Sequence, residues 1–347
     1  MSQENYGPLR VGVSMTATWS WGAAVAVAIA VMHTKGFEPY LAWAGANMLA
    51  LPLFGIGYVY FPRLREWSNL LPMLLLWTFV GFFAVIMNLS ALRTALSGGV
   101  DIVESSLLTT GEATSVVMAF GLLITGYIYF TGLRGSMRTD VYQFVAQVIG
   151  VVGIILVGLS TTGIANPPPM HVGDQSDWMV LAVLGLLTGC FASGMQWQRI
   201  EYLDNDRDRL KATMFGGALF AAFLTLVTIA GYFFWTGAGL ILIPFGLAVF
   251  AVATSTADSG SALLQYLAER AGHDRRVGSV ATLIAVLVFP IAADYGLTAI
   301  WTFYAGVRYK VILGLLILTT VYLLTSSSRA TQRLSGAGKR YWVYLER

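Results

Sequence analysis

Apolar runs of about 20 residues, each long enough to cross a hydrocarbon core as an α-helix, recur from one end of the chain to the other. Ten are legible, over residues 11–33, 39–61, 69–96, 112–132, 139–160, 178–199, 212–235, 239–266, 277–293 and 308–327. Pro290 interrupts the ninth. The stretch 294–310 leading into the tenth holds Asp294, Arg308 and Lys310 and reads as polar. The pattern predicts an all-α membrane protein of about ten transmembrane helices, forming a single membrane domain over residues 1–347.

Residues 161–177 divide the runs into two sets of five. This linker contains Pro167, Pro168 and Pro169 and no basic residue, as expected of an outside loop. An odd number of spans per half puts the halves in opposite orientations. Residues 10–160 and 178–327 are therefore expected to pack as two inverted five-helix repeats, followed by a tail over 328–347. The basic residues agree with this count. With the N-terminus inside, Arg10, the pairs Arg63/Arg65 and Arg134/Arg138, the basic residues of 199–211 and 270–276, and those of the tail all fall on the inner side. Lys35, Arg93, Arg308 and Lys310 fall outside. The expected setting is a plasma (inner) membrane crossed many times, with both termini cytoplasmic.

Composition narrows the chemistry. The chain is 56% hydrophobic and only 11% charged, against about 25% charged for a soluble domain. The single cysteine, Cys190, precludes an internal disulfide framework. His33, His171 and His273 lack metal-ligand spacing. No phosphate loop, nucleophile elbow or paired catalytic groups are present, so no enzymatic activity is expected. The partners this leaves are small solutes and membrane lipid, with no nucleic acid. The basic tail is expected to lie against anionic lipid. Residues 199–211 carry both charge signs and read as an exposed cytoplasmic loop or short helix.

Polar groups inside the apolar runs carry the functional signal. Residues 251–259 include Thr254, Ser255, Thr256, Asp258 and Ser259. Lipid cannot hydrate them, so they must face protein, water or an ion. Hard oxygen donors at membrane depth suit a small cation such as sodium, although hydroxyls also bond back to the preceding helical turn. The first span mixes hydroxyls, indoles and glycine over residues 14–22, and the sixth has three glycines over 185–194. Close helix packing would explain either cluster alone. Their matching positions in the two halves favour helices broken near mid-membrane. Asp140 and Asp258 must be paired, hydrated or protonated. Asp140, at the start of the fifth predicted span, is placed to cap that helix. Asp258 is placed to meet an inner-side arginine or hydroxyl donors.

Several segments resemble the sodium:solute symporter family. Ser255-Thr256-Ala257-Asp258-Ser259 resembles its S-T-x-D-S pattern. Gly132-Leu133, followed by Thr139-Asp140 and Gln143, is similar to the start of its fifth span. Gln198-Arg199 with Lys211-Ala212 resembles the end of its sixth, and Pro62-Arg63-Leu64-Arg65 fits the end of its second. The resemblance covers roughly residues 10–290. It implies the LeuT-type five-plus-five fold in a compact member; the chain departs from the family in its short outer connection, about Trp235 to Gly239, where family members carry an extracellular gating segment. It also implies a sodium ion between the first and eighth spans, held by the side chains of Ser255 and Thr256 and the carbonyls of Val252, Thr16 and Trp19. Asp140, and with it Asp258, would serve a second cation or the coupling.

The function so implied is sodium-coupled symport of a small polar organic solute by alternating access. Proton coupling, or a transporter-like sensor or scaffold, are the alternatives. The solute pocket is expected between the breaks. Its candidate lining is Trp19, Ser20 and Trp21 from the first span, Trp77 and Asn88 from the third, and Phe191, Ser193, Gln196 and Trp197 from the sixth. No deep lysine or arginine is expected there, which favours a neutral or zwitterionic solute.

Overall fold

The computed structural model describes residues 6–97, 106–162, 169–170, 172–234 and 239–326. All regular structure among them is helical. The α-helices are α1 (Pro8–Trp19), α2 (Gly22–Thr34), α3 (Phe37–Tyr60), α4 (Pro62–Glu66), α5 (Leu71–Ser97), α6 (Thr110–Thr162), α7 (Ser176–Leu187), α8 (Gly189–Ala192), α9 (Gly194–Glu201), α10 (Asp206–Phe234), α11 (Leu242–Arg270), α12 (Arg275–Ala293) and α13 (Leu297–Ser326). Seven of them, α3, α5, α6 and α10 to α13, are long and apolar enough to cross a membrane, and the bent pair α1 and α2 makes an eighth candidate. The chain is an integral, multi-pass membrane protein.

Helix α6 has 53 residues, about 80 Å at 1.5 Å per residue, far more than a hydrocarbon core of about 30 Å. It is two helices joined at a kink, where Gly132 takes φ 58° and ψ −153°. This region of backbone space is essentially reserved for glycine. Residues 133–138, which separate the fourth and fifth predicted spans, are helical, because the second arm resumes directly after Gly132. Asp140 therefore lies two turns inside the helix and does not cap it.

Two further boundaries differ from expectation. Helix α13 begins at Leu297, so Arg308 and Lys310 lie inside it and not in an outside loop. Pro290 lies within a continuous α12 and does not interrupt it. The Pro290 carbonyl accepts Arg93 Nη1 at 3.1 Å, and the same nitrogen pairs with Asp294 at 2.8 Å. The end of the linker docks on α3, where the amides of Phe37 and Glu38 donate to the carbonyls of Pro169 and Met170. The rest of its proline run, the outer connection at 235–238 and the tail at 328–347 lie outside the described residues.

Helix α11 is the packing centre. It lies mainly against α5 and α6, and also touches α1, α2, α9 and α12. Its residues from Ala251 to Gln265 are buried apart from Thr254. The periphery is apolar outward: Leu123, Phe130 and Leu156 on α6 and Leu287 and Ile291 on α12 are exposed, which lipid tolerates and water would not. Polar side chains are thus driven to the interface of α1, α6, α9 and α11.

Candidate cation and solute site

Both expected breaks are present. Helix α1 stops at Trp19 and α2 starts at Gly22, the two being bent by 49°. Between them, Ser20 folds back so that its amide and its hydroxyl both donate to the Thr16 carbonyl, at 2.9 and 2.8 Å. In the second half, α7, α8 and α9 are separated at Thr188 and at Ser193, whose φ −95° and ψ 100° are extended. The breaks leave backbone polar groups inside the bundle, where only protein or a bound species can satisfy them.

A polar cluster joins α1, α6, α9 and α11. Asp140 and Arg199, both without exposed surface, pair at 3.0 Å. Arg199 also donates to Ser14 Oγ at 2.7 Å, Ser259 Oγ at 2.7 Å, Ser136 Oγ at 3.2 Å and the Met195 carbonyl at 3.1 Å. Asp140 accepts the hydroxyls of Ser14 and of Ser255, the latter at 2.7 Å. This saturation offsets the cost of taking two ions out of water. Arg199 therefore belongs to the core, contrary to its expected place in an exposed loop. Asp258 accepts Ser136 Oγ at 2.7 Å, Thr139 Oγ1 at 3.2 Å and Gln143 Nε2 at 3.4 Å. No cation pairs with it among the described residues.

The expected sodium ligands lie beside this cluster. Ser255 and Thr256 are fully buried. Thr256 Oγ1 lies 3.4 Å from the carbonyl of Thr18, and Thr18 Oγ1 lies 3.2 Å from Ser259 Oγ. The first-span carbonyl facing Thr256 is thus that of Thr18. The Thr16 carbonyl is taken by Ser20, and the Trp19 carbonyl accepts the Trp21 amide at 2.9 Å. The Thr16 hydroxyl turns away to the carbonyls of Gly12 and Gly216. Val252 is buried on α11 one turn before Ser255 and Thr256. The donor set is hydroxyl and carbonyl oxygen, which fits a hard monovalent cation.

The expected solute residues do not all line one cavity. Trp19 and Trp21 line a cavity of about 30 Å³ together with Ala24, Trp43, Asn47, Met87, Leu186, Trp301, Tyr304 and Arg308. Phe191, Trp197 and Trp77 instead form an aromatic cluster with Phe54 and Tyr58, with ring centroids 5.3–5.7 Å apart. Trp197 Nε1 donates to the Phe191 carbonyl at 2.8 Å, and Gln196 Nε2 to that of Met15 at 3.2 Å. Asn88 Nδ2 donates to the Ala84 carbonyl at 2.6 Å. Ser20 and Ser193 are buried at the breaks themselves.

Arg308 overturns one premise of the sequence reading. It is 2% exposed and lines the cavity, so a deep arginine is available, and the ground for a neutral solute falls. The signal was present in the sequence. Trp301, Tyr304 and Arg308 follow at intervals of three and four and share one helix face, but a span begun at residue 308 hides it.

Comparison with known proteins bears on the fold. No protein-family model matches the chain, and no curated protein matches it. Among solved structures it is similar to a Na+-coupled sialic acid symporter in a substrate-bound, outward-open state. The likeness has a TM-score of 0.57 at 16% identity and covers 84% of this chain and 74% of that one. The chain shares the fold of that symporter over the matched span.

Proposed function

We propose that this protein is a sodium-coupled secondary transporter that carries a small polar organic solute by alternating access, within a LeuT-type arrangement of two inverted five-helix repeats. Counting the two arms of α6 separately, and α7 to α9 as one broken crossing, brings the spans to ten. The broken crossings then open the two halves, as the repeat requires.

One observation carries the reading. The cluster behind Ser255 and Thr256 holds two carboxylates, Asp140 and Asp258, and one guanidinium, Arg199. With both carboxylates ionised, one negative charge remains in a water-poor interior. A cation held by Ser255, Thr256 and the Thr18 and Val252 carbonyls neutralises it at the break of the first span. Binding then draws α1 and α11 together, which is how a coupling ion biases a two-state transporter. The fold likeness to a sodium-coupled symporter supports the same reading.

The test is thermal stability of the purified protein in sodium chloride against potassium chloride. Sodium is expected to raise the midpoint saturably. Asp258→Asn is expected to shift the half-saturating sodium concentration upward by about tenfold, as losing one charge from a poorly hydrated site implies. Equal midpoints in both salts would remove the sodium reading. A shift that instead tracks pH would transfer the coupling to protons.

A further inference from the structure

On the reading of the Trp19–Trp43–Arg308 cavity as the solute site, the geometry points to an anionic solute: a small organic monocarboxylate whose carboxylate meets Arg308. The argument begins with the cost of Arg308. A guanidinium is always charged, and burial is tolerated only with a counter-charge or saturating acceptors. Arg199 has both. Arg308 is as deeply buried but has only the Gly185 carbonyl at 2.9 Å, the Tyr304 hydroxyl at 3.2 Å and the Tyr304 ring face at 4.2 Å. None of these carries a formal negative charge, and no carboxylate pairs with Arg308 among the described residues.

The cavity lining has the complementary deficit. Arg308 Nε, Trp19 Nε1 and Trp43 Nε1 are buried N–H donors without an acceptor among the described residues. All three side chains line the same space, and neither Asp nor Glu lines it. A wall of unmatched donors around an unmatched cation calls for an acceptor bearing negative charge. A carboxylate fits the planar fork of a guanidinium. A single guanidinium balances a monoanion, and the apolar flank of Met87, Leu186 and Trp301 suits a short hydrocarbon or aromatic tail.

The local backbone serves this placement. At Gly189, the first residue of α8, an added Cβ would lie 2.5 Å from the Trp19 ring and 3.2 Å from Arg308 Nη1. Glycine there lets the broken sixth span close over the guanidinium. The volume of about 30 Å³ is room for about two waters, so binding the acid requires the site to widen. One sodium with one carboxylate makes a neutral cargo.

The test uses the full chain in nanodiscs and isothermal titration. The ligands are acetate, propionate, butyrate and benzoate, each against its amide, with urea as a further neutral probe. At least one acid is expected to bind about tenfold or more tightly than its amide. Arg308→Gln is expected to abolish the preference and Arg308→Lys to keep part of it. Trp43→Phe, which removes one donor and keeps the ring, is expected to weaken the acid a few-fold and leave the amide unchanged. The inference is overturned if amides bind as tightly as acids, if no acid binds, or if Arg308→Gln keeps the preference. Repeating the titrations in potassium chloride separates the two readings. An acid preference that ignores sodium supports the role of Arg308 and counts against coupling, whereas sodium dependence without an acid preference does the reverse.

Discussion

Two arginines, Arg199 and Arg308, are buried in this bundle, and their surroundings give them different tasks. Arg199 closes a network with Asp140 and three serines, so it holds α1, α6, α9 and α11 in register. Arg199→Gln would leave Asp140 as a buried charge without its counter-ion, a loss of about 3–5 kcal/mol. Thermal or denaturant unfolding should therefore show a strong drop for Arg199→Gln and for Asp140→Asn. The double variant should lose clearly less than the two together, and strictly additive losses would contradict the pairing. The sequence made the acidic and hydroxyl half of this site readable, because Asp140, Ser255, Thr256 and Asp258 stand out within apolar runs. It hid the cationic half. Arg199 precedes a stretch of mixed charge and was absorbed into that loop. Arg308 sits beside Lys310 in a segment that looked polar, although the spacing of Trp301, Tyr304 and Arg308 marks one face of a helix.

At the scale of elements, function depends on where helices stop. The breaks after Trp19 and around Thr188 and Ser193 set the Thr18 carbonyl 3.4 Å from Thr256 Oγ1 and bring Arg308 against the end of α7. A mixed hydroxyl, indole and glycine run marks the first break and a cluster of three glycines the second. The kink of α6 was less legible. Arg134, Ser136 and Arg138 looked like a loop between spans, but Ser136 is polar because it bonds Asp258 inside the bundle. Gly132 is the hinge that aims this arm. Gly132→Ala would force a side chain into φ 58°, at a cost of about 1–3 kcal/mol. A lowered unfolding midpoint together with weakened sodium binding is expected, because Asp140, Ser136 and Thr139 all ride on the displaced arm. An unchanged midpoint would show that the kink is not set by this residue.

At the scale of the molecule, two cavities among the described residues differ in size. The Arg308 cavity measures about 30 Å³, while a second one of about 380 Å³ lies among Gly132, Gln198, Glu201, Gln265 and Glu269. The second lies where the kink of α6 meets the ends of α9 and α11. In the proposed two-half arrangement, the polar chemistry gathers near the helix breaks at Trp19 and at Thr188 and Ser193. The account stands or falls on the cation that Ser255 and Thr256 are assigned to hold. Equilibrium binding of radiolabelled sodium to the purified protein tests it most directly, comparing the parent chain with the Ser255→Ala/Thr256→Ala variant. Saturable binding to the parent, displaced by unlabelled sodium but not by potassium and lost in a variant that still folds, is the predicted result. Sodium binding that persists in the variant, or is absent from the parent, would contradict it.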